Sequence, residues 1–153
     1  MVRVRAAAQS DLPRLIEIAS HSATAAQWNP TEYENLFAPD SLQNRTVLVI
    51  EEQSTLVGFI VGRQAGPEWE IENIAVTGSA RRRGLGTRLL GEFIDQARSR
   101  GGEEIHLEVR ESNLAARALY EKWAFVETGR RKMYYENPTE DALIFTFEFC
   151  DNS

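Results

Sequence analysis

Between residues 80 and 88 the chain reads Ala80-Arg81-Arg82-Arg83-Gly84-Leu85-Gly86-Thr87-Arg88, a basic run leading into two closely spaced glycines. Glycine lets a backbone turn tightly and approach a ligand with no side chain in the way. A helix beginning behind these glycines points unpaired N–H groups and its positive dipole end outward, a ready site for phosphate. The three arginines add attraction for an anion. The same residues also read as a basic loop that caps a helix. Two other phosphate loops are excluded, since the patterns G-x-x-x-x-G-K-[ST] and G-x-G-x-x-G are both absent.

A second set of reactive side chains lies downstream. In Ile105-His106-Leu107-Glu108-Val109-Arg110 the residues alternate strictly, so His106, Glu108 and Arg110 share the face opposite Ile105, Leu107 and Val109. Alone, this is a solvated polar face. On a strand that follows a crossover helix both faces are usually covered, and a carboxylate there needs a reason such as a cleft. Asn113 and Tyr120 are two helical turns apart and share one side of a helix. Each also has a plain structural reading, Asn113 as an N-cap and Tyr120 as a partly buried aromatic. Upstream, Glu70 and Glu72 are two further carboxylates on one strand.

The elements that must position these groups follow from periodicity. Val2 to Arg5 reads as a short strand, and Ser10 as the cap of a helix carrying Leu12, Leu15, Ile16 and Ala19. Trp28-Asn29-Pro30 opens a second short helix bearing Tyr33 and Phe37. Thr46 to Glu51 and Leu56 to Arg63 form a hairpin, and Glu70 to Val76 is the next strand. Leu85, Leu89, Leu90, Phe93, Ile94 and Ala97 make one stripe of a 3.6-residue period, closed by Gly101-Gly102. After the alternating strand comes a helix over about Asn113 to Lys122. Strands around Phe125 to Met133 and Ala142 to Phe149 finish the chain, giving a mixed α/β domain spanning residues 1–153 without repeat or linker.

Composition narrows the chemistry. The single cysteine, Cys150, forms no internal disulfide, and with only His21 and His106 no metal-ligand spacing exists. A net charge of −6 argues against general nucleic-acid binding and favours cationic partners such as amines or basic peptides. No apolar run approaches the roughly 20 residues of a membrane span, and the opening residues lack a signal-peptide pattern. A cytoplasmic location is the expectation.

The Arg81 to Gly86 segment fits the R/Q-x-x-G-x-G/A signature, follows the strand Ile71 to Val76 and opens an amphipathic helix. In this it resembles the GNAT superfamily of N-acetyltransferases, and the resemblance runs from the Arg3…Ala6…Asp11-Leu12 opening to the last strand. It implies a mostly antiparallel, twisted sheet of about seven strands with flanking helices, splayed between the fourth and fifth strands. It also implies acetyl-CoA as donor. The diphosphate would lie on the amides of Arg82, Arg83, Gly84, Leu85, Gly86 and Thr87, with Arg81 beside them. The pantetheine arm would bond backbone groups at Ile74, Ala75 and Val76 on a bulged strand.

Leu107-Glu108-Val109-Arg110…Ser112-Asn113…Ala118-Leu119-Tyr120-Glu121 resembles the RimI branch, which acetylates the N-terminal alanine of a small-subunit ribosomal protein. That resemblance puts the base on Glu108, the acid on Tyr120 and a cofactor-binding asparagine at Asn113. Glu72 and Glu70 compete for the base role, Glu70 matching the catalytic glutamate of lysine acetyltransferases in the superfamily. Arg130-Arg131-Lys132-Met133-Tyr134-Tyr135 and Glu140-Asp141-Ala142-Leu143 are similar to the branch's R-R-x-x-Y-Y…E-D-A-L segment. With Trp28 and Tyr33, this makes Tyr134 and Tyr135 the expected walls for an acceptor peptide. The chain departs from the branch in carrying Ala124 where glycine usually precedes the phenylalanine, and in replacing P-W-S around Trp28. The partner implied is a protein N-terminus, that of a ribosomal protein, with no direct nucleic acid, membrane or metal. Other acceptors, a lysine side chain or a small amine, stay open at this point, as does a non-catalytic acyl-CoA sensor.

Overall fold

The computed structural model describes residues 1–22, 25–26, 28–78, 84–136 and 138–149, with only the backbone at Leu42. The strands are β1 (Val2–Ala6), β2 (Arg45–Glu52), β3 (Thr55–Ala65), β4 (Glu68–Val76), β5 (Glu104–Arg110), β6 (Val126–Tyr135) and β7 (Glu140–Glu148). The helices are α1 (Leu12–Ser20), α2 (Pro30–Glu34), α3 (Pro39–Leu42), α4 (Leu85–Ser99) and α5 (Leu114–Lys122). Among the described residues the strands form one sheet of seven, in the order β1-β2-β3-β4-β5-β7-β6. Only the β4–β5 pair is parallel, because α4 crosses over between them, and the other neighbours are antiparallel.

Each face of the sheet has its own core. On one face Leu85, Leu89, Leu90, Phe93 and Ile94 of α4 pack on Ile60, Trp69, Ile71, Ile74 and Val76, and the layer continues through Leu107, Tyr120, Phe125 and Phe145. On the other, Leu15 and Ile18 of α1 with Tyr33 and Leu36 cover Val47, Val49, Phe59, Val61 and Ala75. The α4 stripe expected from the sequence points inward; of the α1 stripe Leu15 is fully buried and Leu12, Ile16 and Ala19 partly so, while Ile18, not expected there, is the other buried residue. Packing of α4 depends on Gly62. A Cβ built there would lie 2.0 Å from Cε2 of Phe93, so Gly62→Ala is expected to displace that ring and cost about 3 kcal/mol, the upper end for overpacking, as read by a fall in the denaturant midpoint.

The first helix starts differently from expectation. Residues 9–11 form a 3₁₀ turn before α1, and Asp11 rather than Ser10 stands at the N-cap of α1, its side chain turned back to the preceding turn instead of capping the helix. Its Oδ2 accepts the Ala8 amide at 2.7 Å, while Arg5 donates to both Asp11 oxygens at 2.8 and 3.0 Å. The segment after Trp28 breaks into α2, a 3₁₀ turn and α3, because Pro30 and Pro39 each start a new helix.

Two irregularities shape the region that matters for function. Val61 pairs with Asn73 but Gly62 pairs with Ile71, so Glu72 is an extra residue in β4. This bulge shifts the side-chain phase: Trp69 and Ile71 face α4 before it, Ile74 and Val76 after it. Meanwhile β4 and β5 pair only from Glu68–Glu104 to Glu70–His106. Beyond that row they diverge, which is the splay expected between the fourth and fifth strands. Among the described residues no helix is long and apolar enough to cross a membrane.

Candidate active site

The splay opens a cleft of about 640 Å³ whose walls come from both faces of the sheet. Ile71, Ile74, Val109, Ala116 and Tyr120 line it from the α4–α5 layer, and Glu70, Glu72, Asn73, Tyr33 and Glu108 from the opposite layer. The cleft therefore runs through the sheet. Two reactants entering from opposite faces meet between β4 and β5, the geometry a transfer between two bound molecules requires.

Tyr120 is held by the end of its helix. The amide of Ala124 donates to the Glu121 carbonyl and that of Phe125 to the Tyr120 carbonyl, at 3.0 and 3.1 Å. This is a Schellman stop with Ala124 in the left-handed conformation at φ +68°. The apolar contact that accompanies such a stop is here Tyr120 against Phe125, 5.7 Å between centroids, with Phe145 at 6.4 Å. Burial, and then the nearby Tyr135, push the Tyr120 phenol above its usual range, so at neutral pH it carries its proton. An alanine at φ +68° lacks the freedom that glycine has there. Ala124→Gly is expected to stabilise the fold by about 1 kcal/mol, raising the melting midpoint by roughly 2–4 °C for a chain of this size, as calorimetry would read.

Helix α5 is also tied to α4. The Trp123 indole N–H donates to the Thr87 carbonyl at 3.1 Å, and its ring lies so close to Gly91 that a Cβ there would sit 2.8 Å from Cζ2. Tyr120 and the first turn of α4 are thus held in one frame. That turn follows Gly84, at φ +75°, with no side-chain cap. The amides of Leu85, Gly86 and Thr87 have no intrahelical acceptor, and a glycine N-cap leaves them open to an anion. Leu85 places its side chain in the core, so only its backbone can serve the phosphate. Arg81, Arg82 and Arg83 lie outside the described residues. The bare N-cap, the dipole and the adjoining splay fit the diphosphate and arm of coenzyme A. Of the three positions expected along the arm, Ile74 lines the cleft, while Ala75 and Val76 bury their side chains in opposite cores. The bulge itself falls at Glu72, two residues earlier than Ile74.

Three glutamates enter the cleft in different surroundings. Glu72, the bulge residue, accepts from Arg45 with both oxygens, at 2.8 and 3.2 Å. Glu108 is paired with Arg131, which reaches over β7 from β6 with Nε 2.8 Å from Oε1. That arginine side chain is 57% exposed and stacks on Tyr134, so this counter-ion can swing away. Glu70 makes no ion pair with a described residue. Its carboxyl is raised above the ordinary range by burial first, then by Glu72 and Glu108, against the opposing pull of His106 and Arg63.

The remaining residues expected to bind cofactor or substrate also meet at the cleft. Asn113 lines it while its side chain caps α5 by accepting the Ala116 amide at 3.1 Å, so the capping and site readings of this residue coexist. Tyr33 is 3% exposed; its hydroxyl accepts from Asn73 Nδ2 at 3.1 Å and its ring meets Trp28 edge-on. Tyr134 and Tyr135 form the opposite rim, edge to face at 5.2 Å. Arg110 lies 4.3 Å from the Tyr135 ring and donates to Glu140 and to the Glu136 and Pro138 carbonyls. Hydrogen bonding from Ser112, then from Arg110, holds Glu140 below its usual range. Between Arg131 and Tyr135, β6 takes four steps while β7 takes two, from Ala142 to Glu140. The surplus pushes Met133 and Tyr134 outward at the rim.

Asn73 was not among the residues expected at the site. It is a buried polar group that accepts the Ala26 amide at 2.9 Å and donates to Tyr33, fixing the helical wall to β4. Its only signal in the sequence was a polar residue two after Ile71, where strict alternation would have put an apolar one.

This architecture is shared with known enzymes. Residues 12–125 match the model of the Acetyltransferase (GNAT) family. The chain is 34% identical over 137 residues to the [ribosomal protein bS18]-alanine N-acetyltransferase of Escherichia coli K12, covering 88% of this chain and 89% of that one. It is 39% identical over 103 residues to the N-alpha-acetyltransferase RimI of Mycobacterium tuberculosis, covering 65% and 63%. Among solved structures, the crystal structure of the ribosomal-protein-S18-alanine N-acetyltransferase from Escherichia coli superimposes with a TM-score of 0.89 at 28% identity, covering 100% of this chain and 97% of that one. With a through-sheet cleft, a bare helix N-terminus and a match over most of its length, the chain belongs to the GNAT family and is an acetyl-CoA-dependent N-acetyltransferase of the RimI-like kind.

Proposed function

We propose that this enzyme acetylates the free N-terminal amine of a protein, an alanine at the end of a ribosomal protein, with Glu108 as base and Tyr120 as acid. The observation that carries the reading is the convergence of Glu108 and Tyr120 on one cleft from opposite faces of the splayed sheet. Similarity to relatives named for acetylating the alanine of protein bS18 supports the choice of acceptor.

Acetyl-CoA supplies the activated acyl group. The amides at the start of α4 hold its diphosphate, and Ile74 and Asn113 line the way to the splay. The acceptor enters between the Trp28–Tyr33 wall and the Tyr134–Tyr135 rim. Its ammonium replaces Arg131 beside Glu108, and Glu108 takes the proton directly or through water, leaving a neutral nitrogen to attack. Tyr120 gives its proton to the departing thiolate, and the second proton, lost by the nitrogen as the amide forms, restores the phenol. The raised pKa of Tyr120 keeps the phenol protonated until that moment. We place the reaction in the cytoplasm, where acetyl-CoA and newly made ribosomal proteins meet.

The acceptor assignment is tested by fragment mass analysis of an alanine-initiated peptide that also holds an internal lysine. Acetyl on the α-amine is the expected product. Acetyl on the lysine alone would overturn the assignment.

A further inference from the structure

Glu70 lines both the cleft and a second cavity. The second, of about 230 Å³, is bounded by Arg63, Ala65, Glu68, Trp69, Glu70 and His106. Arg63, Glu70 and His106 stand in a single cross-strand row, paired Arg63 with Glu70 and Glu70 with His106. That row is the last at which β4 and β5 are joined. The cleft begins on one side of it and the second cavity lies on the other.

We propose that Glu70 and His106 form the exit by which the proton taken from the acceptor reaches solvent through the second cavity. This deepens the reading of Glu108 as base and rests on it. A bound peptide covers the rim at Tyr134 and Tyr135, and with it the direct way from Glu108 to bulk water. The proton on Glu108 must nonetheless leave before the next turnover. Of the two other glutamates in the cleft, Glu72 is locked by Arg45, whereas Glu70 makes no ion pair with a described residue, feels Arg63 only from the neighbouring strand, and stands beside His106.

The step balances without any redox change. An N–H bond of the acceptor ammonium breaks and an O–H bond forms on Glu108. That proton passes, directly or through water, to the Glu70 carboxylate and then to one ring nitrogen of His106. The other ring nitrogen releases its proton to water in the second cavity. The charged and polar groups around this path are Glu72 and Glu108 on the cleft side, Arg63 and Glu68 on the cavity side, and Thr146, which pairs with His106 from β7. The raised pKa of Glu70 suits a group that must hold a proton in passing.

The test is turnover of an alanine-initiated peptide by His106→Ala and Glu70→Gln, with and without imidazole in the buffer. For His106→Ala, kcat should fall about ten-fold, below the full contribution of a direct acid or base, with both KM values within about two-fold. Imidazole entering the enlarged second cavity should restore most of the rate. Glu70→Gln should lose a similar factor that imidazole does not restore, while acetyl-CoA binding shows the variant folded. Wild-type turnover by His106→Ala would overturn the exit, and so would a loss that imidazole leaves untouched. Should the wild-type enzyme acetylate another amine instead, the acceptor assignment fails, and the same two variants decide the exit with that amine.

Discussion

Tyr120→Phe is expected to lower kcat by about a hundred-fold or more, the usual contribution of a positioned acid, with acetyl-CoA affinity essentially unchanged. The substitution removes one hydroxyl and keeps the ring. What holds the ring is the contact with Phe125 and Phe145 and the Schellman stop at the end of α5, none of which uses the phenol oxygen. The melting midpoint should therefore stay within about 2 °C, as for a site where packing is conserved. Without the phenol the thiolate leaves unprotonated, and the loss should appear in kcat rather than in either KM. A variant with unchanged turnover would remove Tyr120 from the chemistry and leave it a wall residue.

Glu108→Gln should produce a second large loss, again about a hundred-fold in kcat/KM. The amide keeps the shape of the carboxylate but takes no proton, and it gives up both the pair with Arg131 and the attraction for the acceptor's ammonium. Because Arg131 is exposed, the ion pair contributes less than about 1 kcal/mol to stability. The variant should fold normally, and the defect should be chemical. Glu72→Gln serves as the contrast: Glu72 is held by two hydrogen bonds from Arg45 and lies at the bulge, so its change should weaken the strand more than the reaction. If turnover instead survives Glu108→Gln and collapses in Glu70→Gln, the base sits on β4.

Much of this was legible in the residues. Strict alternation from Ile105 to Arg110 placed Glu108 on the face that forms the cleft. The stripe from Leu85 to Ala97 gave α4 its buried side, and the glycines at its start marked where a phosphate can approach. Asn113 and Tyr120, two turns apart, do share the cleft wall. What stayed hidden depends on long-range register. Nothing in the chain around Arg131 shows that its guanidinium crosses β7 to Glu108, because that contact follows from the strand order and from the surplus residues in β6. The bulge at Glu72 left only a trace, apolar residues three apart at Ile71 and Ile74 where two were expected. Short helices broken at Pro30 and Pro39 obey local caps that a periodic reading smooths over. Ser10 resembles an N-cap by residue type, yet Asp11 holds the position, with its carboxylate taken by Arg5 and the Ala8 amide.

The alanine at position 124 shows how such a reading can carry into energetics. It stands where the branch usually has glycine, and the structure gives it a left-handed φ. The strain falls at the helix stop that fixes Tyr120, so Ala124→Gly tests stability at the very point where fold and chemistry meet.

The central claim, that the acceptor is a free protein N-terminus, is tested most directly by thiol release from acetyl-CoA with two matched peptides. One begins with a free alanine; the other has that amine blocked and keeps an internal lysine. Release with the first and none with the second is the predicted result. Release with the lysine peptide, or none with the free alanine, would contradict it.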